Sequence, residues 1–193
     1  MAYKCLKQNS FSDEEGYQIV AIRQEDVEKI RLWRNAQIDV LRQKAPLTME
    51  TQQLYFQKYV WPTFQQERPS QILFSFLRDK TCIGYGGLTY LDWENQRSEI
   101  SFLVDPQRAD DEKIYIQDFR HFLRLLCQVT FEDLQLHRLF SETYAFRYST
   151  LAVLESLGFK QEGILREHVY KQGRWVDSIM HGLLAQDWQH AKA

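Results

Sequence analysis

At 193 residues, with 44% hydrophobic and 14% aromatic side chains, the chain carries enough apolar mass for one folded α/β domain, which excludes bulk disorder. Its 24 basic and 26 acidic residues leave a net charge of −2, without the basic excess of a dedicated nucleic-acid binder, so no nucleic-acid partner is expected. No apolar run nears the roughly 20 residues that span a bilayer, and residues 1–10 lack the apolar core of a secretory signal, so the expected setting is cytoplasmic with no membrane partner.

Residues 1–16 read as a polar N-terminal arm, 17–188 as a single domain and 189–193 as a short tail. Residues 17–22 form a first strand. Over 25–35, Val27, Ile30 and Trp33 recur at helical spacing, and Thr48 opens a second, aromatic-rich helix that Pro62 closes. Strands over 71–77 and 83–91 are joined by the turn Arg78-Asp79-Lys80. Gly84, Gly86 and Gly87 within the second of them signal a bulge or a close backbone approach. A third strand, 98–104, stops at Pro106.

A long helix follows over 113–134, with Phe119, Phe122, Leu123, Leu126 and Val129 on one face. Next come a strand over 138–144, a helix over 149–157 stopped by Gly158, and a closing hairpin, 159–170 with 175–184, around Gln172-Gly173. That order describes a layered α/β domain with a mixed, mostly antiparallel sheet and flanking helices. Cys5, Cys82 and Cys127 lie far apart, which suits reduced thiols, and no His/Cys/carboxylate spacing suggests a metal site.

Three stretches carry a resemblance. They are Ile83-Gly84-Tyr85-Gly86-Gly87-Leu88 with Ser98-Glu99-Ile100-Ser101-Phe102, then Leu136-His137-Arg138-Leu139, then Val153-Leu154-Glu155-Ser156-Leu157-Gly158-Phe159. In this order, and completed by Gly173-Arg174-Trp175-Val176-Asp177, the chain resembles the GNAT N-acetyltransferase superfamily, especially its Rim-type branch, which acetylates ribosomal-protein N-termini and small amines. The resemblance implies the GNAT fold and transfer of an acetyl group from acetyl-CoA to a primary amine. It also implies that the main chain of Phe102, Leu103 and Val104 pairs with the pantetheine arm as a pseudo-strand.

In the family, a glycine-rich turn at a helix N-terminus holds the pyrophosphate. Here the corresponding residues are Pro106-Gln107-Arg108-Ala109-Asp110-Asp111-Glu112-Lys113, with no glycine and three consecutive carboxylates. Those carboxylates favour a helix start but repel phosphate. Either the loop folds differently and Arg108 and Lys113 take over the anion, or cofactor binding is weak, or the domain has lost acetyl-CoA activity and serves as a binding module. Arg147 and Thr150 stand where the family tends to place an asparagine and a serine. The threonine is a candidate proton donor to the thiolate, and the arginine a candidate phosphate ligand. The alternatives are a helix-start residue and a solvated charge.

Glu99, on the central strand, is the first candidate base, with an exposed salt-bridge role as the alternative reading. His168 and Glu167 on the closing hairpin are reserves, of which alternation lets one face the cleft. The acceptor side is expected to use Trp33, Arg34 and Asn35, with Tyr85 on the glycine strand. Flat rings beside Arg and Asn suit a sugar or nucleobase, and the element resembles GNAT enzymes that acetylate nucleotide-linked amino sugars. A protein N-terminal acetyltransferase is the alternative enzyme. GNAT domains often dimerise, which leaves a homodimer open.

Overall fold

A computed structural model describes residues 2–192 of the chain, with side chains through Gln189. Met1 and Ala193, the outer ends of the expected arm and tail, lie outside the described residues. Eight strands form one sheet in the order β1-β2-β3-β4-β5-β6-β8-β7. These are β1 (Ser10–Ser12), β2 (Tyr17–Ala21), β3 (Ile72–Arg78), β4 (Thr81–Asp92), β5 (Arg97–Val104), β6 (Arg138–Tyr144), β7 (Lys160–Lys171) and β8 (Arg174–Leu184). All neighbours pair antiparallel except β5 and β6. The helices are α1 (Val27–Ala36), α2 (Met49–Tyr55), α3 (Pro106–Ala109), α4 (Glu112–Cys127), α5 (Tyr148–Ser156) and α6 (Ala185–Lys192).

Burial follows the sequence pattern. The run Ile72-Leu73-Phe74-Ser75-Phe76-Leu77 is buried throughout, as suits a strand covered on both faces. Phe119, Phe122, Leu123 and Leu126 of α4 join the same core, the Phe122 ring meets Phe76 edge-on, and Phe102 packs at a tilt against both Phe119 and Phe122. The hairpin turns fall where expected. Asp79 and Lys80 adopt φ of 49° and 67°, and Gln172 and Gly173 adopt 49° and 76°. Paired positive φ values give the turn whose twist matches the flanking strands. The β4 glycines are a close-approach device. A Cβ on Gly86 would lie 2.2 Å from the carbonyl oxygen of Ser101, and one on Gly87 2.1 Å from that of Ile72.

Four local expectations need correction. The stretch before residue 17 holds a strand, β1, and places Tyr3, Leu6 and Phe11 in the core. The Tyr3 hydroxyl donates to the Leu73 carbonyl and accepts from the Leu73 amide, both at 2.9 Å. The second helix does not end at Pro62. After α2 the chain makes a wide turn (Phe56–Val60) and then a 3₁₀ turn (Trp61–Gln65), with Pro62 at the start where its missing N–H costs nothing. The long helix closes at Cys127 in another wide turn (Gln128–Asp133), where the Thr130 hydroxyl takes the Leu126 carbonyl at 2.8 Å. Finally, a short helix, α6, packs Trp188 into the core where no helix was expected.

Candidate active site

The site begins with a defect in the sheet. β5 and β6 run parallel and pair through only three residue pairs, Arg97 with Arg138, Ser98 with Leu139 and Glu99 with Phe140. Past that point no pair joins them among the described residues, so the remainder of each strand offers an open inner edge. A cavity of about 500 Å³ fills the resulting gap. Its walls include Glu99, Ile100, Ser101 and Phe102 of β5 and Ser141, Glu142, Thr143 and Tyr144 of β6. Arg147, Thr150 and Leu154 of the α5 region also line it, as do Arg34, Tyr55, Tyr59, Gln71 and Tyr90.

Glu99 is the buried carboxylate of this cavity, with 6% exposure. Arg42, in the loop between α1 and α2, grips it with both terminal nitrogens, Nη1 to Oε2 at 3.1 Å and Nη2 to Oε1 at 2.5 Å. The same Nη2 donates to Oε2 of Glu142 at 2.9 Å. Burial works against the charge on Arg42, but the hydrogen bonds to Glu99 and the two negative charges outweigh it and raise its pKa further. His168 stands behind Glu142, its Nε2 3.5 Å from Oε1, and is absent from the cavity wall. Strict alternation does not decide between His168 and Glu167, because the β7–β8 register shifts between Leu165 and Val169 and Glu167 takes φ of 49°.

In the lining of the same cavity the hydroxyls of Tyr115 and Thr150 are 2.8 Å apart, and Arg147 Nη2 donates to the Tyr115 hydroxyl at 2.9 Å. The Ser141 hydroxyl, buried in the wall where the strands part, has no hydrogen-bond partner among the described residues. An orphaned donor beside two open strand edges fits an amide- and thioester-bearing arm. The turn before α4 fits phosphates less well. Asp111 caps the helix, its Oδ1 accepting from the amides of Lys113 and Ile114 at 3.0 and 3.1 Å. The amides of Arg108, Ala109 and Asp110 donate to the carbonyls of Asp105 and Pro106. Arg108 is committed to the buried Asp118, through Nε at 2.6 Å and Nη2 at 2.8 Å, and Asp118 also accepts from the Tyr17 hydroxyl. Lys113 is exposed at the start of α4, and Arg147 borders the cavity.

A family model described as "Acetyltransferase (GNAT) domain" matches residues 19–180. The chain belongs to the GNAT acetyltransferase family. Two curated Bacillus proteins are similar to it. The uncharacterized N-acetyltransferase p20 of Bacillus licheniformis is 29% identical over 106 residues, covering 55% of this chain and 57% of that protein. The putative ribosomal N-acetyltransferase YdaF of Bacillus subtilis (strain 168) is 28% identical over 116 residues, covering 60% of this chain and 61% of that protein. The match therefore spans about three-fifths of each relative's length. In fold, the chain is similar to spermidine N-acetyltransferase from Vibrio cholerae in complex with CoA and spermine, with a TM-score of 0.79 at 16% identity over 90% of this chain and 98% of that one.

Within this GNAT domain, the cavity gathers Glu99, Phe102, Thr150, Arg147 and Arg34 from the residues singled out in the sequence. It leaves out Leu103 and Val104, whose side chains are buried, and the Val104 carbonyl accepts from Gln37 Nε2 at 2.8 Å. Trp33 is core. Asn35 staples the following loop by bonding both the amide and the carbonyl of Leu47. Tyr85 lies in a smaller cavity of about 280 Å³ that shares Arg34 and Tyr55 with the main one, and its hydroxyl accepts from Arg34 Nη1 at 2.6 Å. Tyr115 and Glu142 were not marked by sequence reasoning. Tyr115 reads as core, four residues before Phe119, and Glu142 as the solvent side of a strand. The local signals for both were those of ordinary packing.

Proposed function

We propose that the chain is an acetyl-CoA-dependent N-acetyltransferase acting on the primary amine of a small molecule, with a nucleotide-linked amino sugar as the preferred acceptor. The observation that carries this reading is one cavity, at the parting of β5 and β6, whose lining includes both the buried carboxylate of Glu99 and the paired hydroxyls of Tyr115 and Thr150.

Acetyl-CoA supplies an activated acyl thioester. In the transfer a carbon–nitrogen bond forms, the carbon–sulfur bond breaks, the nitrogen loses a proton and the sulfur gains one. In this reading Glu99 receives the amine's proton, and the Tyr115–Thr150 hydroxyl pair holds the one that the sulfur takes. Ser141 offers its unpartnered hydroxyl in the same gap. Lys113 and Arg147 are the cations available to the phosphates. Phe102 lines the gap that the arm would fill. On the acceptor side, Tyr55, Tyr59 and Tyr90 surround Arg34 and Gln71, rings and hydrogen-bonding groups that suit a sugar or base face. The Glu99–Glu142 carboxylates also suit a polycationic amine, and the structural relative is a spermidine N-acetyltransferase in complex with CoA and spermine, so spermidine is the second acceptor to screen.

One observation favours a different reading, a GNAT domain used only for binding. Asp111 fills the amides that a phosphate would need. Calorimetric titration with acetyl-CoA separates the two, with Arg147→Ala alongside. Micromolar binding that weakens in the variant supports the enzyme, and an amine screen led by UDP-amino sugars then follows. No binding at millimolar acetyl-CoA overturns it.

A further inference from the structure

We infer that Arg42 is a tethered stand-in for the acceptor's cation: its guanidinium occupies the seat between Glu99 and Glu142 that a substrate ammonium takes, and must swing out to admit it. This rests on the proposed placing of the acceptor amine at Glu99.

The geometry describes a cation seat before it describes a salt bridge. Two carboxylates from neighbouring strands, β5 and β6, converge at the edge of the cavity, close enough for one guanidinium nitrogen to reach both. Such a pair is stable only with a cation between them, since like charges at that range repel. Both oxygens of Glu99 are already accepting from Arg42. An incoming ammonium therefore competes with the guanidinium for oxygens that each already accept one hydrogen bond from it.

Arg42 is built to leave while its loop stays. Lys171 Nζ, from the closing hairpin, donates to the carbonyls of Ile38 at 3.2 Å and Leu41 at 2.6 Å, just before it. Immediately after it, Gln43 accepts from Arg34 Nε at 3.0 Å and donates to Asn35 at 2.9 Å. The chain is thus tied down on both sides, by backbone carbonyls before Arg42 and by the Gln43 side chain after it, whereas the Arg42 side chain is half exposed and has solvent to swing into. Glu99, by contrast, is fixed in the wall. The consequence is selectivity. An acceptor that carries its own cation recovers what the broken pair loses, and a neutral one does not.

Displacement lowers the apparent affinity of any amine by the fraction of molecules in which the seat is open. Removing the guanidinium should remove that factor. The test uses n-butylammonium as probe and n-butanol as neutral control, titrated by NMR into the protein without acetyl-CoA. Arg42→Ala and Arg42→Gln are expected to bind n-butylammonium about tenfold tighter than the unaltered chain, with n-butanol unchanged, and Arg42→Lys, which keeps a cation in place, to gain less. Loss of the gain in Arg42→Gln/Glu99→Gln supports the same seat. A merely structural Arg42 predicts weaker or equal binding in both neutral variants, and that result overturns the proposal, with Arg42→Gln deciding if Arg42→Ala does not fold. The base reading is tested separately, by kcat of Glu99→Gln at saturating amine. It can fail while the binding result stands, and the reverse.

Discussion

Glu99 shows what a single residue discloses and what it hides. Its place on β5 between Ser98 and Ile100, where the family resemblance puts a glutamate, marked it as the first candidate base beside a plain salt-bridge role. Nothing nearby in the chain indicated that Arg42, distant in sequence, would hold it, because that contact is made by the loop between α1 and α2 reaching a strand in the middle of the sheet. Tyr115 was hidden in another way, since a tyrosine on the apolar face of a helix reads as core until its hydroxyl is seen to meet Thr150. With an accepted amine in hand, Glu99→Gln should lower kcat about a hundredfold, and Tyr115→Phe, with Thr150 retained, about tenfold, both read at saturating substrate. If Tyr115→Phe leaves kcat untouched, Thr150 alone holds the proton.

Among the elements, the α4 N-terminus carries a conflict between stability and binding. Asp111 is a good cap because it satisfies two amides, and a poor neighbour for phosphate for the same reason. Asp111→Ala should cost about 1 kcal/mol of stability in denaturant melts and tighten acetyl-CoA roughly threefold to tenfold by calorimetry. Loss of both stability and affinity would show that the cap shapes the site. This was half legible: the absence of glycine in 106–113 marked the departure, but that Arg108 would turn to Asp118 was not, because Asp118 lies on the far side of the first turns of α4. The β4 glycines were read as a bulge or a close approach, and both occur: the β3–β4 register shifts beside Gly84, and Gly86→Ala should cost about 3 kcal/mol or more, since the new methyl meets the Ser101 carbonyl and the Phe122 ring.

Across the whole molecule, most of the element order could be read from periodicity and turns, because each strand and helix announces itself within a few residues. The edges could not. β1 is polar but for Phe11, and α6 follows β8 without a break, so neither presents a pattern of its own. The width of the β5–β6 gap was equally unreadable, since it depends on a register between strands that meet through a crossover. Acid stability is also a property of the assembled chain. Burial pushes the Asp26 pKa up, but hydrogen bonds from Arg23 and Ser75 and the Arg23 charge prevail and hold it below its ordinary 3.8. The Arg138 hydrogen bond does the same for Glu162 below 4.5. Groups depressed on folding stabilise fully above their unfolded values and lose that contribution as pH falls through the folded ones. Urea midpoints should therefore stay level from pH 7 to about 5 and fall below about 4, with a shallower fall in Asp26→Asn. Finally, three residue pairs clasping β5 to β6 at one end make the sheet a pair of tongs, one arm β1 through β5, the other β6, β8 and β7. Whatever lodges between the arms acts as a keystone. Its arrival should slow amide exchange at Ile100–Val104 and at Ser141–Tyr144 together, in a single step, as two distant stretches of chain become one continuous surface.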